Sequence, residues 1–273
     1  MYMDAPSKQE IGRTGEYVSS VGLGTWSIRD YKRAFEVFVE ALNSGIDNID
    51  TAEMYDSGRA EEFAGRVVRE VGKENVFITT KMLPSHLVSR DQVIKASKAS
   101  LRRLGLDTVD LFLIHWLNPS LPIEVQARNF EAVVEEGLSR YIGVSNFDID
   151  ELREAVASTK KADIVVNQVH YSVYHRYLVE RGLGDFCVKE GITIQAYTPI
   201  ERGRVAKDDL LKRIASQYDK TPIQVALNYV VSHPKVIAII KTENHNHLIE
   251  ILGSLGWNLS VEDIRLIQEK IGS

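Results

Sequence analysis

Four ionisable residues follow short apolar runs of the sequence. Asp50 ends one such run, and Tyr55 stands five residues later in the polar turn that leads into a helix. Lys81 ends the run VFITTK, and His115 ends VDLFLIH. A phenol is a poor acid near neutral pH, with an ordinary pKa of about 10, but a nearby ammonium favours the phenolate and lowers that pKa. Lys81 could therefore make Tyr55 a proton donor to a carbonyl oxygen.

The other two residues complete this chemistry. Asp50 paired with Lys81 would keep the ammonium charged and oriented, and His115 could donate a hydrogen bond to the substrate oxygen as negative charge develops. Taken singly, each residue has an ordinary alternative: a helix N-cap for Asp50, an exposed aromatic for Tyr55, a solvated loop lysine for Lys81 and a core histidine for His115. Their conjunction at successive strand ends favours a catalytic site.

The elements that would position these residues come from hydrophobic periodicity. Short runs rich in Val and Ile alternate about eight times with longer amphipathic stretches, as expected for strands followed by helices. The predicted strands are VGLGTWS, NIDTA, VFITTK, VDLFLIHW, YIGVSN, VVNQVHY, TIQAYTP and VIAIIK. The predicted helices cover 31–44, 59–71, 91–104, 123–136, 149–158, 178–190 and 221–232.

Nearly continuous apolar strands such as LFLI and VIAII are typical of a parallel sheet that is covered on both faces. Eight βα units in about 250 residues predict an α/β protein, a closed (β/α)8 TIM barrel whose reactive groups gather at the carboxyl ends of the strands. A doubly wound sheet is disfavoured because GLGTW lacks the third glycine of the dinucleotide fingerprint. No linker divides residues 1–273, so we expect a single domain.

Two further features surround the predicted barrel. The run EIGRTGEYVSS predicts an N-terminal β-hairpin that closes the barrel floor. Extra helices are expected near the C-terminus, one at 207–217 and one in VEDIRLIQEKIG.

Composition excludes several classes of function. A net charge of −5 without a basic block argues against a nucleic-acid or anionic-membrane partner. The single cysteine, Cys187, cannot form an intramolecular disulfide, and no apolar run approaches the roughly 20 residues of a membrane helix or resembles a secretory signal. We therefore expect a soluble cytoplasmic protein. No metal site is expected, since HNHLIE is better explained as a helix start.

The motifs match one family in order along nearly the whole chain. The matching runs are EIGRTGEYVSSVGLGTW, GIDNIDTAEMYDSGRAEE, VFITTK, SLRRLGLDTVDLFLIHW, GLSRYIGVSNF, NQVHY, GITIQAYTPI and VIAIIKT. The chain thus resembles the aldo-keto reductases. The resemblance implies a monomer that reversibly reduces aldehydes and ketones with a nicotinamide cofactor. It assigns the catalytic roles to Asp50, Tyr55, Lys81 and His115, with Tyr55 as the proton donor.

The resemblance also implies cofactor contacts. Ser145, Asn146 and Gln168 would hydrogen-bond the nicotinamide carboxamide, and the Tyr197 ring would stack on the nicotinamide. The remaining positions implied near the cofactor are Gly24, Thr25, Trp26, Asp50, Thr198, Ile200, Arg202, Arg204, Lys241, Thr242 and His247. Among them, the two arginines of the short loop PIERGR would meet the pyrophosphate, although both could be solvated surface residues.

The adenosine end departs from the family pattern. Lys241 and Thr242 match the phosphate-gripping positions just before a helix N-terminus, which favours an anion. His247 stands where many members have arginine, Ile251 where asparagine is common, and Glu243 adds a negative charge. An imidazole cannot match a guanidinium fork. NADPH is still favoured, but NADH is possible and the preference is expected to be weaker than in the family at large.

For the substrate, the resemblance places Trp26 and Trp116 as aromatic walls beside Tyr55 and His115. The additional candidates are Met82, Leu83 and Tyr174 or His175. The chain ends soon after its last predicted helix, so we expect a shallow, open site that accepts small aldehydes.

Two other functions stay open at this stage. One is a regulatory barrel protein that binds the cofactor with little or no turnover. The other is a lyase or isomerase in which Lys81 forms a Schiff base.

Overall fold

Eight parallel strands close into a barrel in a computed structural model that describes residues 7–272. The strands are β1 Lys8–Glu10, β2 Tyr17–Ser19, β3 Val21–Gly24, β4 Asn48–Asp50, β5 Phe77–Met82, β6 Val109–Ile114, β7 Ser139–Ser145, β8 Ile164–His170, β9 Thr193–Tyr197 and β10 Val236–Ile240. Around the barrel the strand order is β10, β3, β4, β5, β6, β7, β8 and β9. A separate two-stranded antiparallel sheet pairs β1 with β2. The predicted (β/α)8 barrel and N-terminal hairpin are confirmed.

Helices cover the outside of the barrel. Within residues 7–272 they are α1 Tyr31–Asn43, α2 Arg59–Val71, α3 Arg90–Leu104, α4 Ile123–Phe130, α5 Ala132–Glu135, α6 Ile149–Ser158, α7 Gly184–Glu190, α8 Asp209–Gln217, α9 Pro222–Val231, α10 His245–Leu252 and α11 Val261–Lys270. The extra helices near the C-terminus are confirmed.

Two predicted helices are interrupted in the structure. The helix predicted at 123–136 is divided by a turn at Glu131 into α4 and α5. The helix predicted at 178–190 is regular only from Gly184, because Arg181 has ψ 36° and Gly182 has φ 122°. A positive φ is a conformation that glycine adopts without a Cβ clash, so Gly182 explains the interruption.

Alternation along the strands separates two apolar layers. Leu111 and Leu113 of β6 face the barrel interior, whereas Phe112 and Ile114 pack in the larger layer between barrel and helices. Side chains alternate across a strand, and the parallel register pairs Lys81 with Leu113. Lys81 therefore points into the barrel, above the apolar interior.

The hairpin closes the opposite end of the barrel. Ile11 and Val18 join the interior apolar cluster, and the backbone N–H of Gly12 donates to Thr193 Oγ1 at 2.8 Å. Gly12 has φ 58°, and a Cβ there would lie 2.7 Å from Val165 Cβ. Only glycine fits this approach without displacement, which ties the hairpin to the amino ends of the strands.

Two observations concern membrane crossing and the single cysteine. No helix of the described part of the chain combines the length and the apolar character that a bilayer crossing needs. Cys187 is buried, and burial raises the pKa of its thiol to about 12. The thiolate that a nucleophile requires is therefore disfavoured, as expected for a structural cysteine.

The hairpin should contribute measurably to stability through Ile11. We expect Ile11→Ala to lower the free energy of unfolding by about 2–4 kcal/mol, because the substitution leaves a cavity in the closed floor. Urea unfolding followed by circular dichroism would measure this. As a control, Tyr17→Ala changes a side chain that is 60% exposed on the same hairpin and should cost far less; equal losses would contradict the floor contact.

Candidate active site

Lys81 is the centre of the site. Its side chain is fully buried, and its ammonium makes three hydrogen bonds: to Asp50 Oδ2 at 2.7 Å, to the Thr51 backbone oxygen at 2.8 Å and to Tyr55 Oη at 3.0 Å. An ammonium has three donors, so all of them are used. Burial lowers the pKa of Lys81, but Asp50 and Tyr55 offset this and leave the pKa above its ordinary value. The ammonium is charged at neutral pH.

Asp50 is held from its other side by Gln168, which is itself hydrogen-bonded to Gln195. Gln168 Nε2 donates to Asp50 Oδ1 at 2.7 Å and to Gln195 Oε1 at 2.8 Å. Asp50 is the last residue of β4, while the glutamines lie opposite each other on β8 and β9. The carboxylate thus links the Lys81 ammonium to strands on the far side of the barrel mouth.

The prediction that Lys81 lowers the pKa of Tyr55 was wrong in its net direction. Burial raises the pKa of the phenol, Lys81 lowers it and Asp50 raises it, and the sum lies above the ordinary value. Burial prevails because the charged phenolate loses its solvation in this pocket. Tyr55 is accordingly a neutral phenol at neutral pH, which is the form that can donate a proton.

His115 is a neutral imidazole. Burial and the nearby charge of Lys81 lower the pKa of His115 to about 3. Its ring lies 5.6 Å from the Tyr55 ring, measured between centroids. Within residues 7–272, its Nδ1 is buried without a hydrogen-bond partner. The predicted grouping is therefore observed: Asp50, Tyr55, Lys81 and His115 meet at one barrel mouth.

Aromatic side chains form the rim above this group. Trp26 is 52% exposed, and its ring meets the Tyr55 ring edge-on with 4.9 Å between the centroids. Trp116 is 37% exposed, and its ring is tilted against the His115 ring with 4.7 Å between the centroids. The structure thus brings both tryptophans to the mouth, where a substrate could reach them. Met82 does not share this position, because it is fully buried in the layer between barrel and helices.

Another part of the rim is a polar network. Asn146 Nδ2 donates to the His115 backbone oxygen at 3.0 Å and to Ser145 Oγ at 3.1 Å, and Tyr197 Oη donates to Asn146 Oδ1 at 2.8 Å. Asn146 has φ 63°, a left-handed conformation that asparagine tolerates better than most residues. Ser145 Oγ donates to the Gln168 backbone oxygen at 2.9 Å.

The Tyr197 ring is supported from one side. His170 stacks on it at 5.4 Å with an interplanar angle of 14°, and His175 stacks on His170 at 4.0 Å. His170 Nε2 lies 2.8 Å from Glu201 Oε1. Tyr174 lies apart from this stack and donates to Asp208 Oδ2 at 2.9 Å.

The loop after β9 is compact. Thr198, Glu201 and Arg202 have φ between 48° and 56°. Arg202 is exposed, while the Arg204 guanidinium lies 4.4 Å from the centroid of the Tyr174 ring. Ile200 is partly buried against the apolar layer. Of the two loop arginines, Arg202 makes no side-chain contact among those of the described residues, whereas Arg204 contacts Tyr174.

At the predicted binding site for the adenosine end of the cofactor, the Glu243 carboxylate has three partners. It pairs with Lys241 and accepts from the backbone N–H groups of Arg29 at 3.1 Å and Asp30 at 2.9 Å. These donors and the charge of Lys241 outweigh burial and lower the pKa of Glu243. His247 is exposed.

The remaining positions differ in exposure. Thr242 and Ile251 are buried. Thr25 is buried beside Asp50, and its Oγ1 lies 2.9 Å from Thr51 Oγ1. A Cβ on Gly24 would come within 3.0 Å of Ile239 Cγ2, so glycine is favoured there.

Comparison with known proteins decides the family. A model of the aldo/keto reductase family matches residues 20–271. The chain belongs to the aldo/keto reductase family. Methylglyoxal reductase DkgB of Salmonella typhi is 33% identical over 257 residues, covering 92% of this chain and 90% of its own. Glyoxal reductase of Bacillus subtilis is 33% identical over 247 residues, covering 89% and 85%.

Solved structures of aldo-keto reductases agree with this assignment. The thermostable aldo-keto reductase Tm1743 in complex with the inhibitor epalrestat has a TM-score of 0.90 at 38% identity, covering 96% of this chain and 98% of its own. The Klebsiella pneumoniae aldo/keto reductase in complex with NADP and acetate has a TM-score of 0.90 at 28% identity, covering 97% and 95%. The resemblance inferred from the motifs is confirmed.

Sequence reasoning missed several contacts of this aldo/keto reductase site. Thr51 acts through its backbone oxygen, which no side-chain pattern reveals. Gln195 could have been noticed as a polar residue inside an apolar strand, since TIQAY places it between Ile194 and Ala196. Glu53 lies inside the motif itself, but its bond to the Leu83 backbone joins residues 30 positions apart.

His115 should make the stability of the protein dependent on pH. In the unfolded chain its pKa is about 6.5, whereas burial lowers it to about 3 in the folded protein. Below pH 6.5 the unfolded state therefore binds more protons, and the free energy of unfolding falls as the pH falls through this window.

We expect the loss of stability between pH 6.5 and 4 to be steeper for the wild type than for His115→Asn, measured by urea unfolding at each pH. His247→Asn, which changes an exposed histidine, should retain the wild-type slope. Parallel curves for the wild type and His115→Asn would disprove the buried neutral imidazole.

Proposed function

We propose that this protein is an oxidoreductase that reduces small aldehydes and ketones to alcohols with a nicotinamide cofactor, and that Tyr55 supplies the proton. The observation that carries the proposal is the fully buried Lys81 ammonium, which bridges Asp50 at 2.7 Å and the Tyr55 hydroxyl at 3.0 Å at an open barrel mouth. Membership of the aldo/keto reductase family supports the same reaction.

The residues present fit a nicotinamide dinucleotide. The His170 stack covers one face of the Tyr197 ring, which leaves the opposite face for a planar ring. The side-chain amide nitrogen of Gln168 donates to Asp50 and Gln195. The side-chain oxygen of Gln168 is therefore the atom available to the carboxamide of the nicotinamide. Ser145 and Asn146 supply a hydroxyl and an amide beside it. The Klebsiella relative was solved with NADP.

The proton transfer follows from the charges of the site. The reduced nicotinamide supplies a hydride to the carbonyl carbon when it is bound. As negative charge develops on the carbonyl oxygen, the neutral Tyr55 phenol donates its proton to that oxygen. Lys81 stabilises the phenolate that is left, because its ammonium is already hydrogen-bonded to Tyr55 Oη. Neutral His115 can donate a hydrogen bond to the same oxygen.

The same geometry argues against a Schiff-base mechanism. An amine must be deprotonated to attack a carbonyl, whereas the pKa of Lys81 is raised overall by Asp50 and Tyr55 against the effect of burial. All three of its N–H groups are used in hydrogen bonds. Carbonyl reduction, in contrast, requires Lys81 to be the charged, hydrogen-bonded ammonium that the structure shows.

The substrate class follows from the rim. Exposed Trp26 and Trp116 provide two apolar walls for a small organic carbonyl. The Salmonella and Bacillus relatives are named as reductases of methylglyoxal and glyoxal. We therefore include small 2-oxoaldehydes among the proposed substrates. We further propose that the protein acts as a monomer and that it is located in the cytoplasm.

For the cofactor, we propose NADPH over NADH by a moderate margin. Lys241 and buried Thr242 precede the N-terminus of α10, whose partial positive charge favours a phosphate. The Glu243 carboxylate beside Lys241 offsets part of that attraction. NADH is therefore expected to bind as well.

The proton donor is tested by Tyr55→Phe. We expect this variant to reduce methylglyoxal about 1,000-fold more slowly, because the general acid is lost, while NADPH binding followed by fluorescence quenching stays unchanged. Tyr177→Phe, a change at a ring that is 63% exposed, serves as the control and should keep full activity. Retention of most activity by Tyr55→Phe would refute the mechanism.

The cofactor preference is tested at Lys241. We expect Lys241→Met to weaken NADPH binding about tenfold, in line with the loss of one phosphate contact, and to leave NADH binding nearly unchanged. Fluorescence titration with each cofactor measures both constants. Lys189→Met removes a side chain that is 81% exposed and should affect neither. An equal loss for the two cofactors would place Lys241 elsewhere than at the 2′-phosphate.

A further inference from the structure

The turn that carries Tyr55 is conformationally strained. Directly after Tyr55, three successive residues have positive φ: Asp56 at 48°, Ser57 at 54° and Gly58 at 90°. Two of the three are not glycine, and such residues are disfavoured in this region. The turn therefore needs contacts from outside itself to hold the Tyr55 hydroxyl beside Lys81.

One external contact comes from Glu53, two residues before Tyr55. Its carboxylate accepts from the Leu83 backbone N–H at 2.5 Å, and its own backbone N–H donates to the Lys81 backbone oxygen at 3.3 Å. The same carboxylate lies 3.5 Å from His86 Nε2. Glu53 thus fastens the turn to the end of β5 around the residue that contacts Tyr55 Oη.

A second external contact comes from Glu61, on the other side of the turn. Its side chain is fully buried, and its carboxylate accepts from Thr80 Oγ1 at 2.6 Å. Thr80 immediately precedes Lys81 in β5. Both ends of the turn are therefore hydrogen-bonded to β5 on either side of Lys81.

Arg103 of α3 joins these two carboxylates. Its Nε donates to Glu61 Oε2 at 2.5 Å, and its Nη2 lies 3.9 Å from Glu53 Oε2. The arginine also packs against the strained part of the turn, because a Cβ on Gly58 would lie 2.6 Å from Arg103 Cδ. Arg103 Nη2 is itself oriented by Ser100 Oγ at 3.0 Å.

We propose that Arg103 is a positioning residue for the proton transfer: it clamps Glu53 and Glu61 across the strained turn and so holds Tyr55 against Lys81. This inference rests on the proposed function, since it assumes that Tyr55 donates the proton. Arg103 acts through Glu53 and Glu61, so its loss should misplace the phenol without removing any reacting group. A displacement of about 1 Å in a reacting group can cost about 100-fold in rate.

The experiment measures single-turnover reduction of methylglyoxal by the protein with bound NADPH, in H2O and in D2O. We expect Arg103→Met to slow this step about 10- to 100-fold and to enlarge its solvent isotope effect, because proton donation becomes limiting. NADPH affinity should not change. Arg102→Met, which alters the adjacent exposed arginine of the same helix, is the matched control and should behave as the wild type.

Three further variants guard against simple loss of folding. The double variant Arg103→Met/Glu61→Gln avoids leaving a buried carboxylate without its cation, and Arg103→Lys should restore part of the rate because lysine keeps the charge but not the fork. Glu53→Gln changes the clamp from the side of the turn and leaves the Arg103 side chain in place. The effects of Glu53→Gln and Arg103→Met should be less than additive if both disable one unit.

Each outcome of these measurements either supports or overturns the proposed role of Arg103. Slower single turnover with a larger solvent isotope effect and unchanged NADPH affinity supports the clamp. Wild-type rates in Arg103→Met overturn it, and so does a parallel loss of rate and NADPH affinity with an unchanged isotope effect, since that indicates general loosening. If the wild-type protein reduces no aldehyde, the proposed function fails and this inference fails with it, whereas full activity of Arg103→Met defeats the inference alone.

Discussion

The site depends on a positive charge that has no access to water. Transfer of an ammonium from water into a protein interior costs several kcal/mol unless its donors are satisfied, and Lys81 satisfies all three with Asp50, Thr51 and Tyr55. These partners are therefore constrained by the ammonium as much as it is by them. The barrel makes the arrangement possible because adjacent parallel strands end at the same rim, with β4 supplying Asp50 and β5 supplying Lys81.

The same burial keeps the two aromatic neighbours of the ammonium, Tyr55 and His115, uncharged. It raises the pKa of Tyr55 and lowers the pKa of His115, so both are neutral at neutral pH. A neutral phenol retains the proton that it must give, and a neutral imidazole adds no second positive charge beside Lys81. In the proposed reaction, the ammonium consequently stabilises the phenolate after the transfer and does not ionise the phenol beforehand. That order suits the proposed reduction, in which the proton leaves Tyr55 while the carbonyl oxygen becomes negative.

Much of this arrangement could be predicted from local sequence. The eight strands, the hairpin and the four residues at the mouth followed from hydrophobic periodicity, from strand ends and from the family motifs. The direction of the Tyr55 pKa could not be predicted, because it depends on how completely the folded chain excludes water. The interruption at Gly182 was missed because a single glycine inside an amphipathic run does not by itself indicate a positive φ. Contacts between residues far apart in sequence, such as Gln168 with Gln195 or Arg103 with Glu61, depend on how neighbouring strands and helices pack, which local sequence does not reveal.

The residues of the site differ in how firmly the backbone around them is held. Lys81 and Asp50 lie at the ends of barrel strands and are fixed by the sheet, whereas Tyr55 lies in a turn with three successive positive φ values. Tyr55, the proposed proton donor, is thus the member of the group that the sheet positions least. The Asp56 and Ser57 conformations are costly, and Glu53, Glu61 and Arg103 restrict the alternatives from both sides. The position of the Tyr55 hydroxyl therefore depends on ion pairs outside the pocket. Residues that never contact a substrate can in this way govern the rate at which the substrate is reduced.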